Sequence, residues 1–375
     1  MNYRFDKIAF NSTAKKTPTE SDKEHYIGLE HIDSECLEIT RWGSNVAPIG
    51  EKLIMKKGDI LFGKRRAYQR KLAIAPFDGI FSAHGMVLRP NEEVVDKNYF
   101  PFFMSSDLFM ERAVQISVGG LSPTINWKDL REQEFPLPSL AEQKVLADKL
   151  WAAYRLKESY KKLLAATEEM VKSQFIEMFY NEKYPLQKLK THIDVIRGVS
   201  YKPVDIKEET SDSISVILRS NNIINGQINF DDVVYVDNKR VTTEQVLSKG
   251  DIVMCGSNGS KKLVGKAAMI NTIPSYRTSF GAFCLGIRCK ESILPEYLSV
   301  YFQTPKYREV IEFLGSGSNI LNIKPEHIYN LEIPIPSLED QKHFVTIAEQ
   351  ADKSGFEIRK SIEAIDNVIK SLING

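Results

Sequence analysis

The sequence contains the same structural unit twice, and this duplication limits the folds that it can adopt. The segment Pro136–Gln143 reads PLPSLAEQ, and the segment Pro334–Gln341 reads PIPSLEDQ. The second segment lies 198 residues after the first, and this offset continues without a gap to the end of the chain. Further upstream, the GDI sequence of Gly58–Ile60 returns at Gly250–Ile252 with an offset of 192. This period is far longer than the roughly 20–50 residues of a solenoid repeat, so it indicates a duplicated domain.

Each copy of the proline-rich segment is expected to begin a long helix. The prolines end any earlier helix and impose an extended approach. Ser139 is positioned to cap a helix with Glu142 completing a capping box, and Ser337 with Asp340 nearly repeats the pattern. A stretch without proline follows each cap and is longer than an ordinary globular helix. The predicted helical ranges are 139–180 and 337–375.

The two predicted helices carry matching heptad seams. Their apolar positions alternate spacings of four and three residues, which is typical of a coiled coil rather than of a broad amphipathic face. The seam positions of the first helix are Leu146, Leu150, Ala153, Lys157, Tyr160, Leu164, Thr167 and Val171. Adding 198 gives Phe344, Ala348, Ala351, Gly355, Ile358, Ile362, Ile365 and Ile369, with a weak layer at Lys157 and Gly355. Helices packed separately on their own domains are the alternative, but they would leave both seams uncovered. We therefore expect an antiparallel pair with pseudo-two-fold symmetry.

The rest of the chain has the short alternating runs of β-rich domains. Examples are Tyr26–Leu29, Gly58–Phe62 and Gly85–Leu88, with short helices expected near Tyr99–Met110 and Trp127–Glu132. We predict an α+β fold in which two duplicated β-rich domains are joined by two long helices that form an antiparallel coiled coil. The predicted boundaries are 1–138 and 181–336 for the β-rich domains, 139–180 for the central helix and 337–375 for the C-terminal helix.

Composition argues against several classes of protein. Apolar residues make up 42% of the chain and charged residues 26%, as in ordinary globular domains. No apolar run approaches the roughly 18 residues of a membrane span, and the charged start Met1–Lys7 does not resemble a signal peptide. The four cysteines form neither a CxxC pair nor a disulfide-rich framework, which fits a reducing compartment. We expect a cytoplasmic protein that does not associate with membranes.

No motif for catalysis, cofactor binding or metal binding is apparent in the sequence. It lacks GxGxxG, a P-loop and the Asn/Asp-Pro-Pro-aromatic motif of adenine methyltransferases, and no histidine lies at metal-ligand spacing from a cysteine or carboxylate. Cys284 and Cys289 lie in an apolar run and are expected to be buried structural thiols. Asp59 and Asp251 resemble nuclease carboxylates, but no Glu-x-Lys follows, so a turn before a strand is favoured. We predict no catalytic residue, no cofactor and no metal.

Basic residues are concentrated after both Gly-Asp-Ile turns. The net charge of the chain is only +1, so a nucleic-acid surface must be local. Residues 60–77 and 252–290 contain Lys and Arg but no acid. A basic run is usually only a solvated surface, yet its occurrence at two matched places indicates DNA contact, with cations on phosphates and polar side chains on base edges. The predicted DNA-binding residues are Lys64, Arg65, Arg66, Tyr68, Gln69, Arg70 and Lys71 in the first domain and Asn221, Ser257, Asn258, Lys261, Lys262 and Arg277 in the second.

Two further features leave alternatives open. Arg41 and Trp42 either reach the duplex or form a half-buried structural pair. The glycine-rich segments Gly119–Thr124 and Gly315–Asn319 either hold a DNA phosphate on backbone amides or are plain connections before a helix, as at the candidate cap Asn126.

Two β-rich domains, each followed by Pro-x-Pro-Ser-Leu-x-x-Gln and a long helix, resemble the specificity subunit of type I restriction-modification enzymes. The resemblance covers the whole chain and rests on the two proline-rich segments and the Gly-Asp-Ile turns. It implies two target-recognition domains, each of which reads one half of a split double-stranded DNA site. It also implies that the helices set the gap between half-sites and bind two methyltransferase subunits, with restriction (translocase-nuclease) subunits joining afterwards. One departure from the family pattern is the short lead-in before the first domain. The second domain, in contrast, is preceded by Tyr184–Leu189, as is usual in the family.

Two other classes of function are kept beside this interpretation. The chain could be a stand-alone nuclease or methyltransferase with degenerate motifs, and unaided turnover with S-adenosylmethionine, Mg²⁺ and DNA would favour that class. It could instead be a coiled-coil interaction protein that does not bind DNA, and a strongly salt-dependent DNA affinity would argue against that class.

Overall fold

The computed structural model of the chain describes residues 1–208, 211–272, 276–314 and 322–374. These residues divide into two compact units. Unit 1 comprises Met1–Lys161 and Lys360–Gly375, and unit 2 comprises Lys162–Arg359. Each unit therefore contains one β-rich part and one portion of each long helix.

Unit 1 contains short strands, short helices and the first part of one long helix. Its strands are β1 (Asn2–Arg4), β2 (Ala9–Ser12), β3 (Lys15–Lys16), β4 (Tyr26–Ile27), β5 (Lys52–Met55), β6 (Ile60–Phe62), β7 (Leu72–Ile74), β8 (Gly79–Phe81), β9 (Met86–Pro90) and β10 (Glu134–Pro136). Its helices are α1 (Phe5–Ile8), α2 (Phe100–Ser105), α3 (Asp107–Gln115), α4 (Trp127–Leu130) and the beginning of α5 (Leu140–Phe179). The strands form an antiparallel sheet of order β2-β9-β6-β7, a sheet of order β3-β5-β8-β4 in which β4 and β8 are parallel, and the pair β1-β10.

Unit 2 repeats this organisation. Its strands are β11 (Leu186–Lys188), β12 (Ile193–Arg197), β13 (Ile206–Lys207), β14 (Ile214–Leu218), β15 (Ile223–Ile224), β16 (Gln227–Ile228), β17 (Val234–Asp237), β18 (Ile252–Cys255), β19 (Ala267–Met269), β20 (Thr278–Phe280), β21 (Cys284–Cys289) and β22 (Glu332–Pro334). Its helices are α6 (Pro295–Tyr301), α7 (Pro305–Leu314), α8 (Pro325–Tyr329) and the beginning of α9 (Leu338–Asn374). The sheets have the orders β12-β21-β18-β19 and β13-β17-β14-β20, with β14 and β20 parallel, and the pairs β15-β16 and β11-β22 complete the unit.

The first sheet has the same order in both units, whereas the second sheet does not. In unit 1, β5 pairs with β8, and β8 then pairs with β4. In unit 2, the corresponding strand β17 pairs with β14, and β14 then pairs with β20. The last two strands of the second sheet are therefore exchanged between the units.

The first sheet of each unit is buried on both faces. In unit 1, Ile60 and Phe62 pack into a core with the helices, and Leu61 between them packs into a separate core with the second sheet. In unit 2, Met254 and Val253 divide in the same way between two cores. Because successive residues of a strand point to opposite faces, such strands read as continuous apolar runs. This packing fixes the ends of β6 and β18, after which the basic residues predicted from the sequence begin.

The β-rich part of each unit begins with an equivalent short strand. Strand β1 pairs antiparallel with β10, with Tyr3 opposite Phe135. Strand β11 pairs antiparallel with β22, with Gln187 opposite Ile333, which lies 198 residues after Phe135. The short lead-in before the first domain, expected to be a departure from the family pattern, is thus long enough to form the same strand.

The last residue of the first proline-rich segment joins α5 to unit 1. Gln143 is completely buried. Its Oε1 accepts a hydrogen bond from the backbone N–H of Asp96 at 2.8 Å, and its Nε2 donates to the carbonyl oxygens of Val94 at 3.1 Å and Pro138 at 3.0 Å. All hydrogen-bonding atoms of the amide are therefore engaged, as a buried amide requires.

The second proline-rich segment makes the same three hydrogen bonds 198 residues later. Gln341 is also completely buried, and its Oε1 accepts from the backbone N–H of Leu294 at 2.8 Å. Its Nε2 donates to the carbonyl oxygens of Ser292 at 3.1 Å and Pro336 at 3.0 Å. The repeated glutamine is thus a structural residue that fixes the start of each long helix.

The predicted starts of both long helices are confirmed. Ser139 Oγ accepts from the backbone N–H of Glu142 at 3.3 Å, and the Glu142 carboxylate accepts from the backbone N–H of Ser139 at 2.9 Å. Ser337 Oγ accepts from the backbone N–H of Asp340 at 3.2 Å. These bonds satisfy amide groups that have no partner within the helix.

Helices α5 and α9 pack together in an antiparallel direction, as the seams predict. Within unit 1, the beginning of α5 lies against the end of α9, where Leu146 and Ile369 pack on the same core. Lys157 is not merely a weak layer, because its buried ammonium group forms an ion pair with Asp366 at 2.5 Å.

Within unit 2, the end of α5 lies against the beginning of α9. The rings of Phe175 and Phe179 meet Phe344 edge-on, with centroids 5.4 and 5.5 Å apart. Gly355 is closely approached, since a Cβ atom at this position would lie 3.3 Å from Leu164 Cδ1. The absence of a side chain at Gly355, the second of the two residues predicted to form the weak layer, therefore allows α5 and α9 to pack closely here.

Candidate DNA interface

Each Gly-Asp-Ile turn contains a buried carboxylate that pairs with a partly exposed arginine. Gly58 has φ +89°, a conformation that favours glycine. The buried Asp59 carboxylate accepts from Arg89 at 2.7 and 2.8 Å. In unit 2, the buried Asp251 accepts from Arg288 at 2.9 and 2.7 Å. Both carboxylates are thus paired within the fold, which supports a structural turn, and the charge of Arg288 is compensated by Asp251.

The predicted basic residues of unit 1 form the loop between β6 and β7, here called basic loop 1 (residues 63–71). Its beginning is bound to the end of the glycine-rich segment Gly119–Thr124 and to the residue that follows it. The carbonyl oxygen of Lys64 accepts from the backbone N–H of Ile125 at 2.9 Å, and Arg65 forms an isolated β-bridge with Thr124. The fold thus brings together two features that the sequence presented separately.

The outward side of basic loop 1 presents Arg65, Arg66 and Tyr68, all of which are exposed. Arg66 has φ +58°, and its backbone N–H donates to the carbonyl oxygen of Pro123 at 2.7 Å. Its Nε also donates to Ser122 Oγ at 3.2 Å. A positive φ at a residue other than glycine is strained, so these bonds hold the loop in a defined shape.

The end of basic loop 1 faces the protein. Arg70, with φ +50°, pairs with Asp107 at 2.5 Å and with Glu35 at 3.8 Å. Lys71 Nζ donates to the carbonyl oxygen of Leu29 at 2.6 Å. Gln69 precedes them and is half-buried. Arg70 and Lys71 are therefore engaged by the fold, unlike Arg65.

Lys64 lies in a positive and partly dehydrated environment. Desolvation lowers the pKa of its ammonium group, and the nearby charge of Lys15 lowers it further. Both effects disfavour the charged form, and a phosphate near this group would oppose them.

Unit 2 has an equivalent loop between β18 and β19, here called basic loop 2 (residues 256–266). The carbonyl oxygen of Gly256 accepts from the backbone N–H of Ile323 at 2.8 Å, and Ser257 forms an isolated β-bridge with Asn322. Relative to unit 1, these partners are displaced by 192 and 198 residues, which are the two offsets of the sequence repeat. The same loop arrangement therefore occurs in both units.

The predicted polar residues of unit 2 lie close to one another. Asn258 Nδ2 donates to Ser220 Oγ at 3.2 Å, and Asn258 Oδ1 accepts from the backbone N–H of Ser260 at 2.9 Å. Asn221 is adjacent to Ser220 in the chain, and its Nδ2 donates to the Asp232 carboxylate at 2.7 Å. Basic loop 2 also carries the exposed Lys261 and Lys262.

Helix α7 holds basic loop 2 through a residue that the sequence did not single out. Arg308 donates to the carbonyl oxygens of Val264 at 2.8 Å and Lys261 at 3.4 Å. Arg277 lies instead just before β20, and its guanidinium donates to the carbonyl oxygen of Val241 at 3.0 Å. No described hydrogen bond joins Arg277 to basic loop 2.

Two exposed apolar side chains lie beside the basic loops and were also missed. Leu121 is 97% exposed and precedes Ser122, the partner of Arg66. Phe283 is 72% exposed, and its carbonyl oxygen accepts from the first residues of basic loop 2. A search for charged residues could not find them, and the only sequence signal is an apolar residue within a glycine-containing turn.

The remaining sequence candidates fall in different places. Arg41 pairs with Asp33 at 2.5 Å, and the half-exposed Trp42 packs edge-on against Phe77 at 5.3 Å, so a structural role is favoured for this pair. The glycine-rich segment Gly315–Asn319 lies outside the described residues.

The cysteines expected to be structural are shielded to different degrees. Cys284 is buried and Cys289 is half-buried. Burial raises the pKa of each thiol to about 12, so both are protonated at neutral pH. Within the described ranges, no group of three or more His, Cys, Asp or Glu side chains is arranged to hold a metal ion. None of the helices in the described part of the chain is both long and apolar enough to cross a bilayer.

A family model matches both halves of the chain. The model is described as "Type I restriction modification DNA specificity domain", and it matches residues 10–169 and 198–366. Each match contains one basic loop, one proline-rich segment and much of one long helix.

Curated relatives share part of the sequence. The StySPI specificity subunit of a type I restriction enzyme from Salmonella potsdam is 40% identical over 164 residues, which are 44% of this chain and 34% of that protein. The EcoKI specificity subunit from Escherichia coli K12 is 37% identical over 171 residues, which are 46% of this chain and 36% of that protein. The chain thus matches about a third of the length of these two relatives. A putative specificity subunit, MjaX, from Methanocaldococcus jannaschii is 23% identical over 92% of this chain and 84% of that protein.

Solved structures share the fold. A chain from a study of complex assembly and conformational transition of the type I R-M system has a TM-score of 0.58 at 17% identity, covering 100% of this chain and 96% of that chain. The S subunit of a type I restriction-modification system from M. genitalium has a TM-score of 0.55 at 14% identity, covering 100% and 94%. At these identities, the likeness concerns the fold alone.

Proposed function

The chain belongs to the type I restriction-modification DNA specificity family, and we propose that it is the DNA-recognition subunit of a type I restriction-modification complex. In this proposal, residues 1–138 and 181–336 are target-recognition domains that each bind one half of a bipartite double-stranded DNA site. The long helices scaffold two methyltransferase subunits and the restriction subunits. The chain itself carries no catalytic residue and acts in the cytoplasm.

The observation that carries this proposal is the duplicated loop arrangement. In each unit, a basic loop begins where a fully buried strand ends, and the segment before a short helix is bridged to it at Arg65–Thr124 and Ser257–Asn322. Cations on a rigidly held loop neutralise phosphates and fix position, and nearby polar groups read bases. Two such loops in one chain suit a DNA target with two separate halves.

The individual DNA-contact residues are part of the same proposal. The geometry favours Arg65, Arg66 and Tyr68 in unit 1, because these residues are exposed, and the half-buried Lys64 is kept beside them as part of the same loop. In unit 2 it favours the loop that carries Ser257, Asn258, Lys261 and Lys262, with Asn221 beside it. Gln69, Arg70, Lys71 and Arg277 are kept as weaker candidates, since the last three are bonded within the fold.

The test is to purify the chain with its methyltransferase subunits and to sequence the bases that the complex modifies. We expect two short sequences separated by a gap of constant length, together with a DNA affinity that falls steeply with salt. The chain alone, supplied with S-adenosylmethionine, Mg²⁺ and DNA, is expected to modify and cleave nothing. Turnover by the chain alone would favour the stand-alone enzyme, and salt-independent or absent DNA binding by the complex would contradict the recognition role.

A further inference from the structure

The turn between β20 and β21 presents an aromatic ring beside basic loop 2. The carbonyl oxygen of Phe283 accepts from the backbone N–H groups of Gly256 at 2.9 Å and Ser257 at 3.0 Å. The turn is closed by a bond from the N–H of Cys284 to the carbonyl oxygen of Gly281 at 2.8 Å. The Phe283 backbone is therefore fixed on the residues that begin the loop.

Although its backbone is fixed, the Phe283 side chain is 72% exposed. A single exposed apolar residue is ordinary on a protein surface. The backbone of this residue, however, is bonded to a loop where two further chain segments meet, because Ser257 bridges Asn322 and Asn258 bonds to Ser220. An apolar side chain held at the meeting point of polar loops is positioned to contact a ligand.

We propose that Phe283 is a specificity-determining residue that contacts a thymine methyl group in the half-site bound by unit 2. This inference rests on the proposed DNA-recognition function. A phenyl ring has no hydrogen-bond donor or acceptor for a base edge, so it distinguishes bases through apolar contact. In the major groove, the thymine C5-methyl group is the apolar feature that marks one base, and phenylalanine is among the side chains that contact it.

Unit 1 has a polar residue at the corresponding turn. His84 lies between β8 and β9 as Phe283 lies between β20 and β21, and it is exposed. The turn is closed in the same way, by a bond from the N–H of Gly85 to the carbonyl oxygen of Ser82 at 3.1 Å. An imidazole can hydrogen-bond to a base edge, so under the same proposal the turn of unit 1 is expected to distinguish a different base feature.

The experiment uses the complete complex with its methyltransferase subunits and a randomised DNA pool. The wild-type complex is expected to select two half-sites, and Phe283→Ala is expected to lose the preference for thymine at one position of one half-site. His84→Ala should alter only the other half-site. Leu186→Ala, which truncates another exposed apolar side chain of unit 2, is the matched control and should alter neither.

A second measurement isolates the methyl group. Replacing that thymine with deoxyuridine removes only the methyl, and wild-type affinity should fall about fourfold, the equivalent of one buried methyl group. Phe283→Ala should bind both duplexes equally, whereas Phe283→Leu should keep a preference for thymine. Equal thermal midpoints of the variants and the wild type would show that the fold is intact.

The outcomes distinguish this inference from the proposed function. Selection of no bipartite site by the wild-type complex would contradict the proposed function itself. A bipartite site that Phe283→Ala selects unchanged would overturn only the role of Phe283. Phe283→Ala could instead weaken binding to all sequences while the wild type binds the thymine and uracil duplexes equally. This result would overturn contact with the methyl group and favour insertion of the ring between base steps.

Discussion

Changing Arg65 and Arg66 together to alanine should reduce the electrostatic part of DNA binding. Both side chains are exposed on basic loop 1, and the described bond of the Arg66 side chain uses Nε. The slope of log K against log salt is negative, and each lost phosphate contact makes it shallower by about 0.9. Two lost contacts therefore make it shallower by about 1.8. Between about 50 and 200 mM salt, the affinity ratio of wild type to variant should therefore shrink about twelvefold.

Changing Arg70 and Lys71 together to alanine removes the same charge and is the matched control. These cations bind Asp107 and the carbonyl oxygen of Leu29 instead of facing outward. We expect a free energy of unfolding that is lower by about 1–2 kcal/mol, from the partly exposed ion pairs of Arg70 with Asp107 and Glu35 and the hydrogen bond of Lys71. The salt slope of DNA binding should change by less than about 0.5, well below one phosphate contact.

The assay is fluorescence anisotropy of the methyltransferase complex on a labelled duplex that carries the target, repeated at several salt concentrations. A scrambled duplex should show the same change of slope, because phosphate contacts carry no sequence information. If both double variants flatten the slope equally, the division of basic loop 1 into outward and inward cations is wrong. If neither does so, the DNA surface lies elsewhere.

Three further predictions follow from the fold. Gln341→Leu should lower the free energy of unfolding by about 2–4 kcal/mol, because it leaves the backbone N–H of Leu294 without its partner, and a change below about 0.5 kcal/mol in urea unfolding would contradict this. Asp251→Ala should lower the free energy of unfolding by about 2–3 kcal/mol, because it removes the buried partner of Arg288. An unchanged thermal midpoint in differential scanning calorimetry would refute this. Inserting one heptad after Lys157 and one after Gly355 should widen the gap between half-sites by about three base pairs, since seven helical residues rise about 10 Å and the duplex about 3.4 Å per pair. Sequencing of the modified bases would show an unchanged gap if the helices do not set it.

Several features of this protein could be predicted from local sequence patterns. The starts of α5 and α9 follow from the preceding prolines and from the capping residues, which are Ser139 and Glu142 in α5 and Ser337 and Asp340 in α9. Capping involves residues within one helical turn. The pairing of the two helices follows from heptad spacing, which identifies the apolar face of each helix, and the antiparallel direction follows from closing the two copies about a pseudo-two-fold axis. The duplication itself is visible as a constant offset. These features depend on neighbouring residues or on periodicity, so the order of residues along the chain contains them.

The surroundings of each candidate residue could be seen only in the tertiary structure. The sequence presents Arg65 and Arg70 as members of one basic run, but only the latter meets Asp107, which lies 37 residues further along the chain. Similarly, the repeated glutamine of the proline-rich segment resembles a surface residue until Gln143 is found buried against Val94.

Phe283 and Ser257 illustrate the same limit at the candidate interface. Their backbones meet because β18 and β21 are adjacent strands of one sheet. Strand pairing joins residues that are distant in sequence, and its register depends on the packing of both sheet faces. The sequence by itself therefore determined the duplicated architecture and the location of the charge. Only the tertiary structure decided which of the candidate side chains are exposed and which are bonded within the fold, because that depends on contacts between distant segments.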